Sequence, residues 1–185
     1  MHALINVLDF LIHILFTLYI YAVVIRILLG LTRADFYNPF SKFILSITNP
    51  ALQPLRRWMP SIGRIDTAAL LVIIALKFTE LLIRGLLVGK KIFLGSLFIP
   101  VFFGLIDLII NLYIFAILAL VIISWIAPHM HAQNNPLISV LRSITEPLLR
   151  PARKLIPPIG MLDLSAMVVL ITLYCVQIFI HSIQL

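Results

Sequence analysis

Long apolar stretches alternate along the chain with shorter stretches of mixed polarity. Four apolar stretches are close to the roughly 20 predominantly apolar residues that a helix needs to cross a bilayer. They cover about residues 9–31, 67–88, 104–127 and 164–185. Lipid offers an open backbone no hydrogen-bond partners, so each stretch is predicted to be a transmembrane α-helix.

Another apolar stretch, residues 92–103, precedes the third span and makes that run too long for one straight crossing. Gly95, Pro100 and Gly104 interrupt it, and proline disfavours helical geometry in the residue before it. We expect a short interfacial segment that bends into the third span. One long tilted or kinked helix is the alternative.

The two stretches of mixed polarity that join paired spans repeat one another. Residues 38–66 read NPFSKFILSITNPALQPLRRWMPSIGRID, and residues 135–163 read NPLISVLRSITEPLLRPARKLIPPIGMLD. They align without a gap at an offset of 97 positions, which indicates an internal duplication. We call them the first and second amphipathic passages. Their shared motif residues are Pro50, Pro54, Pro60, Gly63 and Asp66 in the first passage and Pro147, Pro151, Pro157, Gly160 and Asp163 in the second.

Each passage is predicted to begin as a capped amphipathic helix. Asn38 and Asn135 are suitable N-cap residues, and each precedes a proline, which is tolerated at the first helical position. Polar residues such as Ser41 are expected on one side of the helix. The apolar side is expected to hold Phe40, Phe43, Ile44 and Ile47 in the first passage and Leu137, Val140, Leu141 and Ile144 in the second.

Both passages are expected to break a second time, at Pro50 and Pro147, before a short basic element. Each passage then closes with a glycine turn and an aspartate. Asp66 and Asp163 are predicted to cap the next span, where the positive end of the helix dipole favours a carboxylate.

Such a passage is too polar to span a membrane and is predicted to lie among the lipid headgroups, with its apolar side down. A basic side chain near an anionic leaflet contributes on the order of 1 kcal/mol. The residues predicted to face anionic lipid or a protein partner are Arg56, Arg57, Arg153 and Lys154.

The order span, passage, span is predicted to form the repeating unit. The first repeat covers residues 1–89, residues 90–103 connect, and the second repeat covers residues 104–185. Two crossings return the chain to its starting side, so the repeats are parallel and both passages lie on one face. The predicted fold is an all-α membrane protein with four transmembrane helices in two parallel repeats and short interfacial helices on one face.

Basic residues indicate which face this is. The two segments that contain the passages, residues 32–66 and 128–163, hold nine Lys and Arg residues, and the opposite face holds three, at Arg84, Lys90 and Lys91. The excess favours cytoplasmic passages and outward-facing termini.

Composition supports a membrane location and excludes several other classes. Of 185 residues, 62% are hydrophobic and 11% are charged. Soluble domains average about 45–50% apolar residues and about 25% charged residues. The formal net charge of +7 is therefore interpreted as contact with anionic headgroups, and no nucleic acid is expected. Cys175 is the single cysteine, which excludes an internal disulfide. The N-terminus lacks the basic region of a signal peptide, so the first span is expected to be retained.

Several polar residues fall inside the predicted spans. Arg26 is costly at mid-membrane and is expected either to snorkel to the interface or to form a polar site inside the bundle. Asp9 and Asp107 open the first and third spans, where capping is favoured over cation binding.

Lys77, Glu80 and Arg84 lie at i, i+3 and i+7 on the second span. Neutralisation of charge within one helix is the simple interpretation, because Glu80 and Arg84 form a favourable i, i+4 pair. An ion or proton pathway is the alternative. It would gain support if Asp107 and Asn111 of the third span met this cluster.

The sequence carries no nucleophile–base motif, phosphate loop or metal signature, so enzyme activity and a cofactor are not expected. His129 and His131 form an H-x-H on a predicted loop, but no cysteine or acidic residue lies close to them in sequence.

The passages resemble those of the YggT (YlmG) family of bacterial and plastid membrane proteins. The resemblance rests on the core S-I-T-x-P-x-L-x-P-x-R-[RK] and the close P-[PS]-I-G-x-x-D. The second passage is very similar to the pattern. The first departs from it at Asn49, at Ser61 and at Thr67-Ala68, so a sharper role is expected of the second.

The resemblance implies an integral protein of the bacterial inner membrane. Bacterial relatives are associated with osmotic or potassium-related stress and with division-linked gene neighbourhoods. Plastid relatives are associated with nucleoid distribution and, in one branch, with haem attachment to a cytochrome. Fold does not fix function, so these associations are only suggestions.

Two functional hypotheses follow. The first is a non-enzymatic scaffold or assembly and stress-adaptation factor, whose basic passages bind membrane lipids and a membrane-protein partner or a second copy. The second is a transport component for ions or small solutes, with a polar lining drawn from Arg26, Lys77, Glu80, Asp107 and Asn111.

Overall fold

The computed structural model describes residues 2–32, 34–59, 61, 66–89, 93–126, 135–156 and 163–183. The motif residues Pro60, Gly63, Pro157 and Gly160 lie outside these described residues, as do His129 and His131.

The described chain forms six α-helices and one short 3₁₀ helix at Leu94–Leu97, and it contains no strand. The all-α prediction is therefore confirmed for this part of the chain. The helices are α1 (His2–Thr32), α2 (Pro39–Arg56), α3 (Thr67–Leu87), α4 (Phe98–Ile126), α5 (Pro136–Leu155) and α6 (Leu164–Ile183).

Three stretches of helix are long and apolar enough to cross a membrane. They are Ala3–Thr32, Leu94–Ile126 and Leu164–Ile183, which correspond to the first, third and fourth predicted spans. Helix α3 has 21 residues, a sufficient length, but Lys77, Glu80 and Arg84 interrupt its apolar surface. Its crossing remains a prediction.

Helix α4 begins at Phe98, not near Gly104, and continues for 29 residues. Pro100 does not stop it, because the first backbone N–H groups of a helix have no intrahelical partner and their loss costs little. The predicted interfacial segment is reduced to the short 3₁₀ helix, and the rest belongs to one long helix.

Pro39–Arg56 of the first passage and Pro136–Leu155 of the second each form one continuous helix, so the predicted breaks at Pro50 and Pro147 are wrong. A proline inside a helix removes the hydrogen bond to the carbonyl four residues earlier. Here the prolines lie on the exposed side of each helix, where water or headgroups can satisfy the freed carbonyls. The prolines inside α2 and α5 are Pro50, Pro54, Pro147 and Pro151.

The predicted caps of the passages are confirmed. The side-chain oxygen of Asn38 accepts from the backbone N–H of Phe40 at 2.8 Å, and that of Asn135 accepts from Leu137 at 3.0 Å. Both helices therefore start at a fixed Asn-Pro pair.

The aspartates that close the passages also cap the helices that follow. Asp66 accepts from the backbone N–H of Ala69 at 3.2 Å, and Asp163 accepts from that of Ser165 at 3.1 Å. Helices α3 and α6 begin at aligned positions, directly after these caps.

The buried side of α2 only partly coincides with the apolar side, which was predicted to face the headgroup layer. Ser41, expected on the polar side, is fully buried, whereas Phe43 and Ile47, expected on the apolar side, are exposed. The buried row follows the i, i+3, i+4 spacing of a helix and consists of Ser41, Ile44, Thr48 and Leu52. In α5 the buried residues are Ile138, Val140, Ile144, Thr145 and Leu149, and this helix packs against α6.

The chain separates into two compact units. Unit 1 comprises Met1–Ile27 and Ile44–Leu108, and unit 2 comprises Leu28–Phe43 and Ile109–Leu185. Unit 2 has a core in which Ile117 of α4, Leu149 of α5 and Val169 of α6 are buried together. The predicted repeat boundaries at residues 89 and 104 remain a prediction.

Candidate functional site

Arg26 of α1 is only 6% exposed and reaches the buried row of α2. Its guanidinium donates to the Thr48 hydroxyl at 2.6 Å and to the Asn49 side-chain oxygen at 2.8 Å. Its Nε lies 3.9 Å from the carboxylate of Asp66, which also pairs with Arg56. Of the two alternatives for Arg26, these contacts favour a polar site inside unit 1. Its depth in the membrane stays a prediction.

Sequence reasoning missed the partners of Arg26. Thr48 and Asn49 lie 22 and 23 residues away on another helix, and their position opposite Arg26 depends on how α1 and α2 pack. The available signal was Thr48 itself, a polar residue that continues the helical spacing of Ile44 and other buried positions.

An equivalent ion pair holds α5 to the start of α6 in unit 2. The guanidinium of Arg153 donates to the carboxylate of Asp163 from Nε at 3.0 Å and from Nη2 at 2.9 Å. Its Nη1 donates to Glu146 at 3.2 Å. In unit 1 the aligned pair is Arg56 and Asp66.

Asp163 also accepts from the hydroxyl of Ser165, a fully buried residue. Partial burial raises the pKa of Asp163, but hydrogen bonds from Ser165 and Arg153 and the charge of Arg153 outweigh it, so the pKa lies below its ordinary value. The Asp163 carboxylate is therefore ionised at neutral pH and available as both a cap and an ion-pair partner.

A cavity of about 270 Å³ opens between α4, α5 and the start of α6 in unit 2. One part of its wall is apolar and the other is polar and charged. The apolar residues are Ile117, Leu120, Val121, Leu149 and Ala166, and the polar ones are Ser124, Arg142, Thr145, Glu146, Arg153 and Asp163.

A second cluster of charges joins α1 to α3 in unit 1. The Glu80 carboxylate, fully buried, accepts from the Lys77 ammonium at 2.9 Å and lies 2.7 Å from Nδ1 of His13. Arg84 Nη1 lies 3.5 Å from Glu80, and the Arg84 guanidinium forms a bidentate pair with Asp9 at 2.7 and 2.9 Å. We call these five residues the α1–α3 charge cluster.

The cluster corrects two expectations. Asp9 lies well inside α1, which starts at His2, so it pairs with Arg84 instead of capping the helix. The charges of α3 are neutralised between helices as well as within one helix. His13 was missed, because its contact with Glu80 joins positions 67 residues apart.

Gly104 of α4 also belongs to the surroundings of this cluster. A Cβ atom at this position would lie 3.0 Å from Cε of Lys77, tighter than ordinary van der Waals contact. Glycine therefore leaves room for the stem of Lys77, whose ammonium Glu80 holds in place.

The two remaining intramembrane candidates lie on α4. Asp107 lies inside α4, which begins at Phe98, so it does not cap this helix as predicted; it is half-buried in unit 1. The side-chain oxygen of Asn111 accepts from the amide of Gln177 on α6 at 3.2 Å, within unit 2.

The basic residues predicted to face lipid or a partner divide into two kinds. Arg56 and Arg153 form ion pairs with the aspartates that close the passages. Arg57 and Lys154 are exposed, and each is followed by a large exposed apolar residue. These apolar residues are Trp58, 86% exposed, and Leu155, 84% exposed, and they occupy aligned positions.

Among the described residues, no group of three or more His, Cys, Asp or Glu side chains could hold a metal ion.

The comparison with known families decides what kind of protein carries these features. The sequence model of the CCB3/YggT family matches residues 5–87 and 99–184. The chain belongs to the CCB3/YggT family. The resemblance inferred from the passage motifs is therefore confirmed, and it extends over nearly the whole chain.

Relatives in several bacteria match most of this chain. The chain is 41% identical to an uncharacterized Vibrio alginolyticus protein in the proC 3′ region over 174 residues, covering 91% of this chain and 90% of that protein. It is 35% identical to Escherichia coli YggT over 173 residues, covering 93% and 88%. Neither the family description nor the names of these relatives state a biochemical activity. No solved structure matches this chain.

The α1–α3 charge cluster predicts a large effect of Glu80→Gln. The amide cannot balance the charges of Lys77 and Arg84, so the unfolding free energy in detergent micelles should fall by about 3 kcal/mol. The control is Glu146→Gln, at a half-exposed side chain, where the loss should be about 1 kcal/mol or less. Equal losses for the two variants would show that the buried cluster does not stabilise unit 1.

Proposed function

We propose that this chain is a four-span protein of the bacterial inner membrane that acts as a non-enzymatic scaffold or assembly factor. In this proposal α2 and α5 both lie at the cytoplasmic leaflet, and each presents a basic surface that ends in a large apolar residue. The observation that carries the proposal is a hydrogen bond in unit 2: the side-chain amide of Asn38 donates to the carbonyl of Pro136 at 2.8 Å.

This bond joins the first turns of the two amphipathic helices, because Asn38 caps α2 and Pro136 is the first residue of α5. Two helix starts that touch are expected to lie at the same membrane face. The chain between them must then cross the membrane an even number of times. Since α4 is long and apolar enough to cross, the bond supports a crossing by α3 as well.

The charges on α3 are compatible with a crossing. Lys77 and Glu80 are buried and paired, and Arg84 pairs with Asp9 of α1. Ionisable residues in transmembrane helices usually face the protein interior and pair with one another. The α1–α3 charge cluster follows this rule, so α3 can enter lipid with its charges turned toward α1.

The cytoplasmic location is supported by the distribution of basic residues. Short cytoplasmic loops carry an excess of Lys and Arg. Here the two segments with the passages hold nine, and two, Lys90 and Lys91, follow α3 in the opposite loop.

The exposed surface of the two helices fits a headgroup layer. Arg57 and Lys154 supply the cationic part, and Trp58 and Leu155 supply the apolar part. Tryptophan is enriched at membrane interfaces, and each Lys or Arg contributes about 1 kcal/mol of attraction to an anionic leaflet. A protein partner or a second copy of this chain would bind from the cytoplasmic side of the same surface. A role in stress adaptation rests on the family resemblance alone.

The scaffold proposal is tested by photo-crosslinking in growing cells. A photoreactive phenylalanine replaces Trp58 or Leu155, and the control replaces Phe115, an exposed residue in the middle of α4. We expect discrete protein adducts at positions 58 and 155, and only lipid adducts at position 115. The adducts should weaken when Arg57→Gln and Lys154→Gln remove the cations.

If positions 58 and 155 gave no more protein adducts than position 115, the scaffold proposal would be wrong. Adducts that persist unchanged without the two cations would contradict the basic character of the surface.

Transport of an ion or proton is the second candidate, and one observation favours it. Glu80 is fully buried on α3, and its carboxylate lies 2.7 Å from Nδ1 of His13, a partly exposed residue of α1, so the two helices hold a polar pair inside unit 1. Transport predicts potassium or proton flux into liposomes that contain the purified protein, abolished by Glu80→Gln. The scaffold proposal predicts no flux above that of protein-free liposomes.

A further inference from the structure

Aligned polar residues of the two amphipathic passages surround an arginine side chain in unit 1 and a cavity in unit 2. In unit 1, Thr48, Asn49 and Asp66 surround the guanidinium of Arg26. The aligned residues of unit 2 are Thr145, Glu146 and Asp163, and all three line the cavity of about 270 Å³. The position aligned with Arg26 is Ile123, which brings no charge. Unit 2 thus repeats a set of cation-binding acceptors without the arginine that occupies it in unit 1.

The acceptors in unit 2 are suited to an N–H donor. In unit 1 the Thr48 hydroxyl donates to the carbonyl of Ile44 at 2.7 Å and accepts from Arg26 at the same time. Thr145 makes the same bond to Leu141 at 2.8 Å, which leaves the lone pairs of its hydroxyl able to accept.

Glu146 replaces Asn49 and makes the site in unit 2 more negative at this position. Arg153 binds one of its carboxylate oxygens, and among the described residues the other oxygen has no donor. An ammonium group can therefore bind between Glu146 and Thr145 and form charge-assisted hydrogen bonds.

The remaining residues of the cavity wall are suited to an amphiphilic ligand. Arg142, exposed at the same cavity, offers a cation to a phosphate, and Ile117, Leu120 and Val121 offer an apolar surface. The cavity lies near the end of α4 and at the beginning of α6, both long and apolar enough to span. Such helix ends lie at headgroup depth, where phospholipids are the abundant amphiphiles.

We propose that this cavity binds the headgroup of phosphatidylethanolamine. The primary ammonium contacts Glu146 and Thr145, the phosphate contacts Arg142, and the start of an acyl chain lies along the apolar wall. The volume is far above the roughly 30 Å³ of one water molecule and close to the lower range of ligand pockets, about 300 Å³. It is therefore matched to a small headgroup.

The site should distinguish lipid classes by the charges and the N–H donors of their headgroups. Phosphatidylcholine has the same charges, but its quaternary ammonium has no N–H to donate. Phosphatidylglycerol has the phosphate but no cation. The preference is thus distinct from the general attraction of Arg57 and Lys154 to anionic lipid, and it does not depend on which face of the membrane carries the passages.

The test uses the full-length protein in nanodiscs that contain equal amounts of the three lipids. The lipids retained after gentle extraction are counted by native mass spectrometry. We expect phosphatidylethanolamine to be enriched over phosphatidylcholine by about tenfold, the ratio given by one charge-assisted hydrogen bond. Free phosphoethanolamine added at millimolar concentration should compete only weakly if the acyl chain contributes to binding. Full competition would make the site one for the soluble headgroup and would overturn its assignment to a lipid.

Two variants make the test specific. Ile123→Arg with Glu146→Asn gives unit 2 the arginine and the amide of unit 1, and the new guanidinium should fill the cavity and abolish the enrichment. Glu146→Gln is the conservative variant and should reduce the enrichment by about tenfold if one charge-assisted bond is lost.

The control is Arg150→Ala, which removes an exposed cation of α5 that does not line the cavity and should leave the enrichment unchanged. The thermal unfolding of each variant is also measured, because a variant whose cavity is filled should stay folded, whereas a misfolded variant should not. Equal retention of phosphatidylethanolamine and phosphatidylcholine by the wild type would overturn the proposal. It would also be overturned if a folded Glu146→Gln variant kept the full enrichment.

Discussion

The hydrogen bond between the side-chain amide of Asn38 and the carbonyl of Pro136 constrains the rest of the structure. Both groups lie at the start of an amphipathic helix, and Asn38 is buried, so the bond fixes two helix ends against each other away from water. Leaving the buried amide without a hydrogen-bond partner would cost free energy. The hydrogen bond therefore favours the arrangement in which the two helix starts are paired. The chain between Asn38 and Pro136, which includes the charged helix α3, must therefore return to the point from which it left.

Each amphipathic helix is then tied to the helix that follows by one aspartate with two roles. Asp66 and Asp163 cap α3 and α6, and each also pairs with an arginine ten residues earlier, Arg56 or Arg153. The two units differ in what fills the space beside this pair. Arg26 occupies it in unit 1, and a cavity occupies it in unit 2. A duplicated framework can in this way keep its packing in one copy and expose the same acceptors to a ligand in the other.

The sequence predicted those features that depend on short-range patterns. The three apolar helices and the caps at Asn38, Asn135, Asp66 and Asp163 follow from hydropathy and from residues that are neighbours in the chain. The continuity of α2 and α5 did not follow, because local rules for proline do not state on which side of a helix the freed carbonyls lie.

The long-range pairs could not be predicted for a different reason. Asp9 and Arg84 are 75 residues apart, and a helical period shows which residues share a face but not which helix that face meets. His13 beside Glu80 and Arg26 beside Thr48 were missed in the same way. In each case the type of residue was informative, since a charge in an apolar helix requires a partner, while the identity of the partner depended on packing.

The central claim is that α2 and α5 lie at one membrane face, and cysteine labelling tests it most directly. Single cysteines replace Gln53 and Arg150, which are exposed at aligned positions of the two helices, in a Cys175→Ser background. A third cysteine replaces Phe93, an exposed residue just before α4, as a reporter of the opposite face. With a membrane-impermeant maleimide, positions 53 and 150 should react in inverted inner-membrane vesicles and position 93 in intact spheroplasts. Reaction of positions 53 and 150 from opposite sides of the membrane would contradict the account.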